Sequence, residues 1–90
     1  MDFEYDSNKS RINKEKHGID FIEAQNLWKD DNALIVPANT ADDEVRYALI
    51  SKFTQKCYIA IFTMRDNTFR IISVRRCRKN EEKNYEKNSS

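Results

Sequence analysis

The second half of the chain alternates apolar and polar residues with the period of two that marks a half-buried strand. Three such runs follow one another: "EVRYALISKF" (44–53), "CYIAIFTM" (57–64) and "TFRIISVRR" (68–76). The connections "TQK" and "RDN" have hairpin length, and Asp66-Asn67 is good turn chemistry, so the runs read as an antiparallel meander. "ALIVP" (33–37) is a further short apolar strand that Pro37 ends or places at an edge. Phe3, Glu4 and Tyr5 alternate and predict a short strand at the start.

The segments between and after these strands read as helices. Ser7 offers an N-cap for "NKSRINKEKHG", and Gly18 stands where a left-handed residue would end that helix. Ile12 is its one clearly apolar residue, so no hydrophobic stripe holds it, while Lys9, Asn13 and Lys16 share a face. That face is read either as solvated or as a cationic wall of a cleft. Asp20 and Glu23 form a capping-box pair, and Phe21, Ala24, Leu27 and Trp28 follow at helical spacing, which predicts a second helix. "KNEEKNYEK" predicts a C-terminal helix. The expected fold is α+β: a small antiparallel meander with two N-terminal helices and one C-terminal helix, all covering one sheet face. Residues 1–88 make a single domain, and residues 89–90 a frayed tail.

Composition narrows the class. Charged residues are 34% and hydrophobic residues 39% of the 90, the balance of a small, charged globule. No apolar run is long enough to span a membrane, and the acidic start "MDFEYDSNK" lacks a secretory h-region, so the expected location is the cytoplasm. Cys57 and Cys77 fit neither a CxxC redox motif nor a zinc finger and read as free thiols in a reducing compartment. Net charge is only +1, but it is unevenly spread. Residues 65–87 hold eight bases and four acids, net +4, against eight bases and eleven acids elsewhere, net −3. A basic segment of this kind suits a partner that carries phosphates.

The most charged strand, "FRIISVRR" (69–76), poses the central question, because burying an unpaired guanidinium is costly. Alternation sends Arg70, Ile72, Val74 and Arg76 one way and Phe69, Ile71, Ser73 and Arg75 the other. Arg70 and Arg75 therefore cannot share a face of a regular strand. Either the strand twists or bulges near Ser73, or only one of them reaches a common site. Three plain structural readings stay open. Arg75 or Arg76 pairs with Glu81, Glu82 or Glu44; His17 caps a helix C-terminus; Tyr85 packs the last helix on the sheet. The functional alternative is a phosphate site. Cleaving RNA without a metal requires the 2′-OH to be deprotonated, the phosphorane charge stabilised and the 5′-oxygen protonated. Arginine suits the middle task, because its planar fork binds phosphate oxygens in pairs. His17 is the only histidine, so a two-histidine acid–base pair is excluded.

At this point the chain resembles a known family. "FEYD" (3–6) looks like FEWD; Lys9, Asn13 and "KHGIDFIEA" (16–24) are similar to K, N and KHGVxFEEA; "DEVRY" (43–47) looks like E-x-R; and "RIISVRRCRKNEEKNYE" (70–86) resembles RIISARxATxxERxxYE. These are the motifs of BrnT-like toxins of bacterial toxin–antitoxin pairs, related in fold to RelE-type ribonucleases. Tyr5, Val74, Cys77, Arg78 and Glu82 depart from the pattern, and Ser51 stands where glycine is frequent. The resemblance implies a RelE-like fold and a toxin that cleaves RNA and stops translation. It also implies a BrnA-like antitoxin with a DNA-binding domain, through which the complex meets operator DNA.

Carried onto this sequence, the resemblance makes Arg75, Arg46, Arg70, His17, Glu81 and Tyr85 the candidates for catalysis. Arg75 would stabilise the phosphorane, aided by Arg46 and Arg70, and His17 would move the proton, with Glu81 or Tyr85 as substitutes. Lys16, Arg76, Arg78 and Lys79 would hold the RNA backbone. No cofactor or metal is expected. Two rivals remain: a non-catalytic module that grips nucleic acid or a protein with the same patch, and a metal nuclease using Asp42, Asp43 and Glu44.

Overall fold

A computed structural model describes residues 1–40 and 43–89. The described elements are β1 (Asp2–Glu4), α1 (Ser7–His17), a 3-10 helix (Glu23–Lys29), β2 (Leu34–Pro37), β3 (Tyr47–Phe53), β4 (Lys56–Arg65), β5 (Thr68–Arg76) and α2 (Lys79–Ser89). The strands form one five-stranded sheet in the order β1-β5-β4-β3-β2. The meander β2 to β5 is antiparallel, but β1 pairs parallel to β5, with Phe3 opposite Phe69 and Glu4 opposite Arg70. The expected purely antiparallel sheet is thus corrected to a mixed one. Period-two alternation reports that a segment is a strand, not which strand it will pair with.

The second expected N-terminal α-helix is also corrected, to a 3-10 helix. Its buried residues Ala24 and Leu27 lie three residues apart, with buried Phe21 three residues earlier in the turn that leads into it, and this spacing stacks side chains in a helix of three residues per turn. The capping box at its start does form, with Asp20 N–H donating to Glu23 Oε1 at 3.0 Å and Glu23 N–H donating to Asp20 Oδ1 at 2.7 Å. Ser51 Oγ, fully buried on β3, donates to the Leu27 carbonyl at 2.6 Å and ties the short helix to the sheet.

The helices do not cover one face as expected. One apolar cluster joins Ile19, Phe21, Ala24 and Leu27 to Leu49, Ala60, Phe62, Ile71 and Val74 on the sheet. Trp28 lies edge-on to Phe3 and Phe62, with ring centroids 5.0 and 5.2 Å apart. A second, smaller cluster occupies the opposite face, where Tyr85 of α2 packs on Ala48, Ile50, Cys57 and Ile59. Helix α2 covers only part of that face and leaves a groove on the rest, the physical origin of the candidate site.

Helix α1 has an unusual anchor. Asp6, rather than Ser7, caps it, accepting from the N–H groups of Asn8 and Lys9. Gly18 ends it at φ 75°, in the left-handed region that glycine occupies at no steric cost. The buried residues of α1 are Ser10 and Asn13, not Ile12, which is 40% exposed. Phe21 N–H donates to Ser10 Oγ at 2.9 Å, and the Asn13 carboxamide bonds to the backbone of β5. The helix is therefore seated by polar groups that satisfy backbone partners. Asn13 is buried while Lys9 and Lys16 are exposed, so the expected shared face of these three divides into a seat and a solvated flank.

Candidate active site

The site begins with a break in β5. Ile61 pairs with Ser73, whereas Phe62 pairs with Ile71, so Ile72 is an extra residue, a β-bulge. The bulge resets the alternation. Before it, Arg70 lies opposite Thr63; after it, Arg75 lies opposite Ile59. Ile59, Ile61 and Thr63 are two residues apart on β4, and Ile59 and Ile61 belong to the α2-side cluster. Arg70, Ser73 and Arg75 consequently share the α2 side of the sheet. Arg76 faces the other way, opposite Tyr58, with its guanidinium 5.6 Å from the Tyr58 ring centroid and its Nε donating to the Cys57 carbonyl at 3.3 Å.

The α2-side groove encloses about 510 Å³ between Arg46, Ala48, Ile50, Ile59, Ile61, Ile72, Ser73, Glu81 and Asn84, with Val36 to Asn39 at its far rim. Arg46 enters it just before β3, on the same side as Ala48 and Ile50, and its Nε is buried without a hydrogen-bond partner. A guanidinium N–H without a protein acceptor is open to water, an anion or a polar ligand. A second depression, about 220 Å³, lies along α1 and is lined by Lys9, Ile12, Asn13, Lys16, His17, Phe21, Ile72 and Ser73. The bulge residues Ile72 and Ser73 are common to both, so the groove that Arg46 enters and the Lys16–His17 end of α1 meet at one ridge.

Arg75 is held, not free. Glu81 accepts from both its Nη1 and Nη2 at 2.8 Å, a bidentate fork, and Glu81 Oε1 also accepts from the Arg78 N–H at 2.7 Å. The Arg75 hydrogen bond keeps the Glu81 carboxyl below its ordinary value, and Glu81 in turn raises Arg75, in each case against the opposing effect of burial. The expected structural pair between Arg75 and Glu81 is thus present. A carboxylate seated in the fork also marks the geometry in which a phosphate would bind. Arg70 is looser, 3.9 Å from Glu4 on the neighbouring strand.

The other candidates fall elsewhere. Tyr85 is 5% exposed, and its hydroxyl donates to Asp30 Oδ2 at 2.6 Å. Burial and that bond push its phenol up to about 12. Asp30 is the hub of a network that the sequence did not disclose. It also accepts from the N–H groups of Lys52 and Asn32 and from Ser51 Oγ. Burial alone would raise the Asp30 carboxyl, but these bonds, Tyr85 first, hold it below its ordinary value. Arg78 and Lys79 are exposed at the start of α2. Cys57 and Cys77 are free thiols on facing backbone, Cys77 N–H donating to the Cys57 carbonyl at 2.9 Å, and burial raises both. Of the acidic loop, Asp42 lies outside the described residues, and Glu44 accepts from Arg65 at 2.9 and 3.0 Å. Among the described residues no three His, Cys, Asp or Glu side chains gather as a metal site would need, and no helix is long and apolar enough to cross a membrane.

The bulge near Ser73 was one of two alternatives the sequence left open and Asn13 was placed on a possible cleft wall, whereas Asn84 and Asp30 were not assigned to this region. A signal for the first was present: Ile71 and Val74 are both core residues, yet three apart, which no regular strand permits. No curated protein matches the chain. A family model does match, over residues 5–81, and describes a ribonuclease toxin, BrnT, of type II toxin–antitoxin systems. The matched span contains Lys16, His17, Arg46, the whole of β5 and Glu81, and stops short of Tyr85. Such toxins act on RNA and are held by a protein antitoxin. With most of its length inside that match, including the ridge where the arginines and α1 meet, the chain belongs to the BrnT family of ribonuclease toxins.

Proposed function

We propose that the chain cleaves RNA without a metal ion at the bulged ridge of β5, and that this cleavage stops translation. The observation that carries the reading is the bulge at Ile72, which puts Arg70 and Arg75 on the side of the sheet that Arg46 enters. A phosphodiester lying along this ridge would take the Arg75 fork from Glu81 and receive the unpaired Arg46 Nε. The 2′-oxygen attacks phosphorus, the P–O5′ bond breaks, and the 2′-OH proton leaves as another reaches the 5′-oxygen. Arginines stabilise the extra charge of the phosphorane. His17, beside the same ridge, is the proton-transfer group, since imidazole both takes and gives protons near neutral pH. Lys16, Arg78 and Lys79 hold the flanking backbone, while Arg76 and Tyr85 serve structure more than chemistry. A BrnA-like antitoxin docks over the groove and carries the complex to operator DNA.

Purified chain should cut RNA in EDTA, with Arg75→Ala and Arg46→Ala each lowering kcat about 100-fold, the scale of losing one charge-stabilising donor. EDTA-sensitive cutting would transfer the chemistry to a metal site. RNA that stays intact while binding in a salt-sensitive way would make the chain a binding module instead.

A further inference from the structure

The outer edge of β5 is unpaired by strand beyond Arg70, because β1 ends at Glu4. Edge N–H and C=O groups normally require a neighbour. Here a side chain supplies it. Asn13 Oδ1 accepts from the Val74 N–H at 3.2 Å, and its Nδ2 donates to the Val74 carbonyl at 2.8 Å, the pair of bonds a strand residue would make. The same Nδ2 donates to the Ile19 carbonyl at 2.8 Å, which fixes the chain just beyond Gly18. Asn13 is 7% exposed.

Its position gives this anchor a consequence. Val74 lies between Ser73 of the bulge and Arg75. Lys16 and His17 lie three and four residues beyond Asn13, so all are neighbours on the last turns of α1. The only other buried polar anchor of α1, Ser10, bonds to Phe21 and makes no bond to β5. We infer that Asn13 is a positioning residue for RNA cleavage: its carboxamide sets the spacing between Lys16 and His17 on α1 and the arginine end of β5. The inference rests on the proposed nuclease reading of this ridge. Both functions of the amide are needed. Aspartate has the same shape but no N–H, and would face the Val74 and Ile19 carbonyls with a charge.

The test compares Asn13→Asp with Ser10→Ala, each confirmed folded by circular dichroism and assayed on RNA well below its melting temperature. Misplacing a reacting group by about 1 Å costs on the order of 100-fold. Asn13→Asp should therefore lower kcat about 10- to 100-fold, with a smaller rise in KM from the displaced Lys16, while Ser10→Ala keeps wild-type kcat. If Asn13→Asp does not fold, Asn13→Ser takes its place in the comparison. Wild-type kcat in the Asn13 variant, a change confined to KM, or an equal loss in Ser10→Ala would each overturn the inference. If the wild type cuts no RNA, the nuclease reading fails and the inference with it; if the wild type cuts and the Asn13 variant cuts as fast, only the inference fails.

Discussion

Arg75, Glu81 and Tyr85 show how far single residues speak before the fold is known. The Arg75–Glu81 pair spans six residues across a strand end and a helix start, and sequence alone offers it as one of a few pairings. The partner of Tyr85 could not be read, because Asp30 lies 55 residues away and nothing local links them. Tyr85→Phe keeps the ring in the α2-side cluster and removes only the hydroxyl that Asp30 accepts. It should cost about 1 kcal/mol, since a half-buried carboxylate loses one of its donors. In a chain of this size that lowers Tm by several degrees, measurable by calorimetry. RNA cleavage by Tyr85→Phe should stay close to wild type, because the phenol is committed to Asp30; a large fall in kcat would return Tyr85 to the chemistry.

At the scale of elements, local chemistry sets what forms, and its imperfections are testable. The two tight hairpins turn on residues with positive φ: Asp66 and Asn67 at 51° and 67°, and Thr54 and Gln55 at 53° and 66°. The first pair suits a left-handed turn; the second does not, because threonine is β-branched and glutamine gains nothing there. Replacing Thr54 by Asn and Gln55 by Gly should stabilise the chain by about 1 kcal/mol, read as a higher denaturant midpoint with an unchanged m-value. Gly18 is the converse. A Cβ there meets nothing within 4 Å, so Gly18→Ala pays only for its φ of 75°, about 1 kcal/mol. The strand segments and hairpins were legible because period and turn chemistry are local. The 3-10 helix was not read as such, because a three-residue spacing of apolar anchors looks helical in either geometry until its packing is seen.

For the whole molecule, the division of the sheet into a closed face and a half-open face decides behaviour. Helix α2 is held by two carboxylates, Glu81 to Arg75 and Asp30 to Tyr85, both kept below their ordinary values of 4.5 and 3.8. A depressed carboxyl contributes stability above its unfolded value and loses it as the pH falls through the folded one. Acidification below about pH 4.5 should therefore loosen α2 before the sheet, and hydrogen exchange should show α2 amides losing protection ahead of those in β3 to β5. Simultaneous loss in all elements would contradict this. The chain's own sequence determined the strands, the α1 stop at Gly18, the basic C-terminal third and the family motifs, since each depends on neighbours a few residues apart. Tertiary structure alone decided the parallel pairing of β1, the split of the helices between two faces, the Asp30 hub and the placing of Arg70 and Arg75 on one side of the sheet. These depend on contacts between distant segments, and in β5 the competition between two core positions three residues apart was resolved by inserting a bulge.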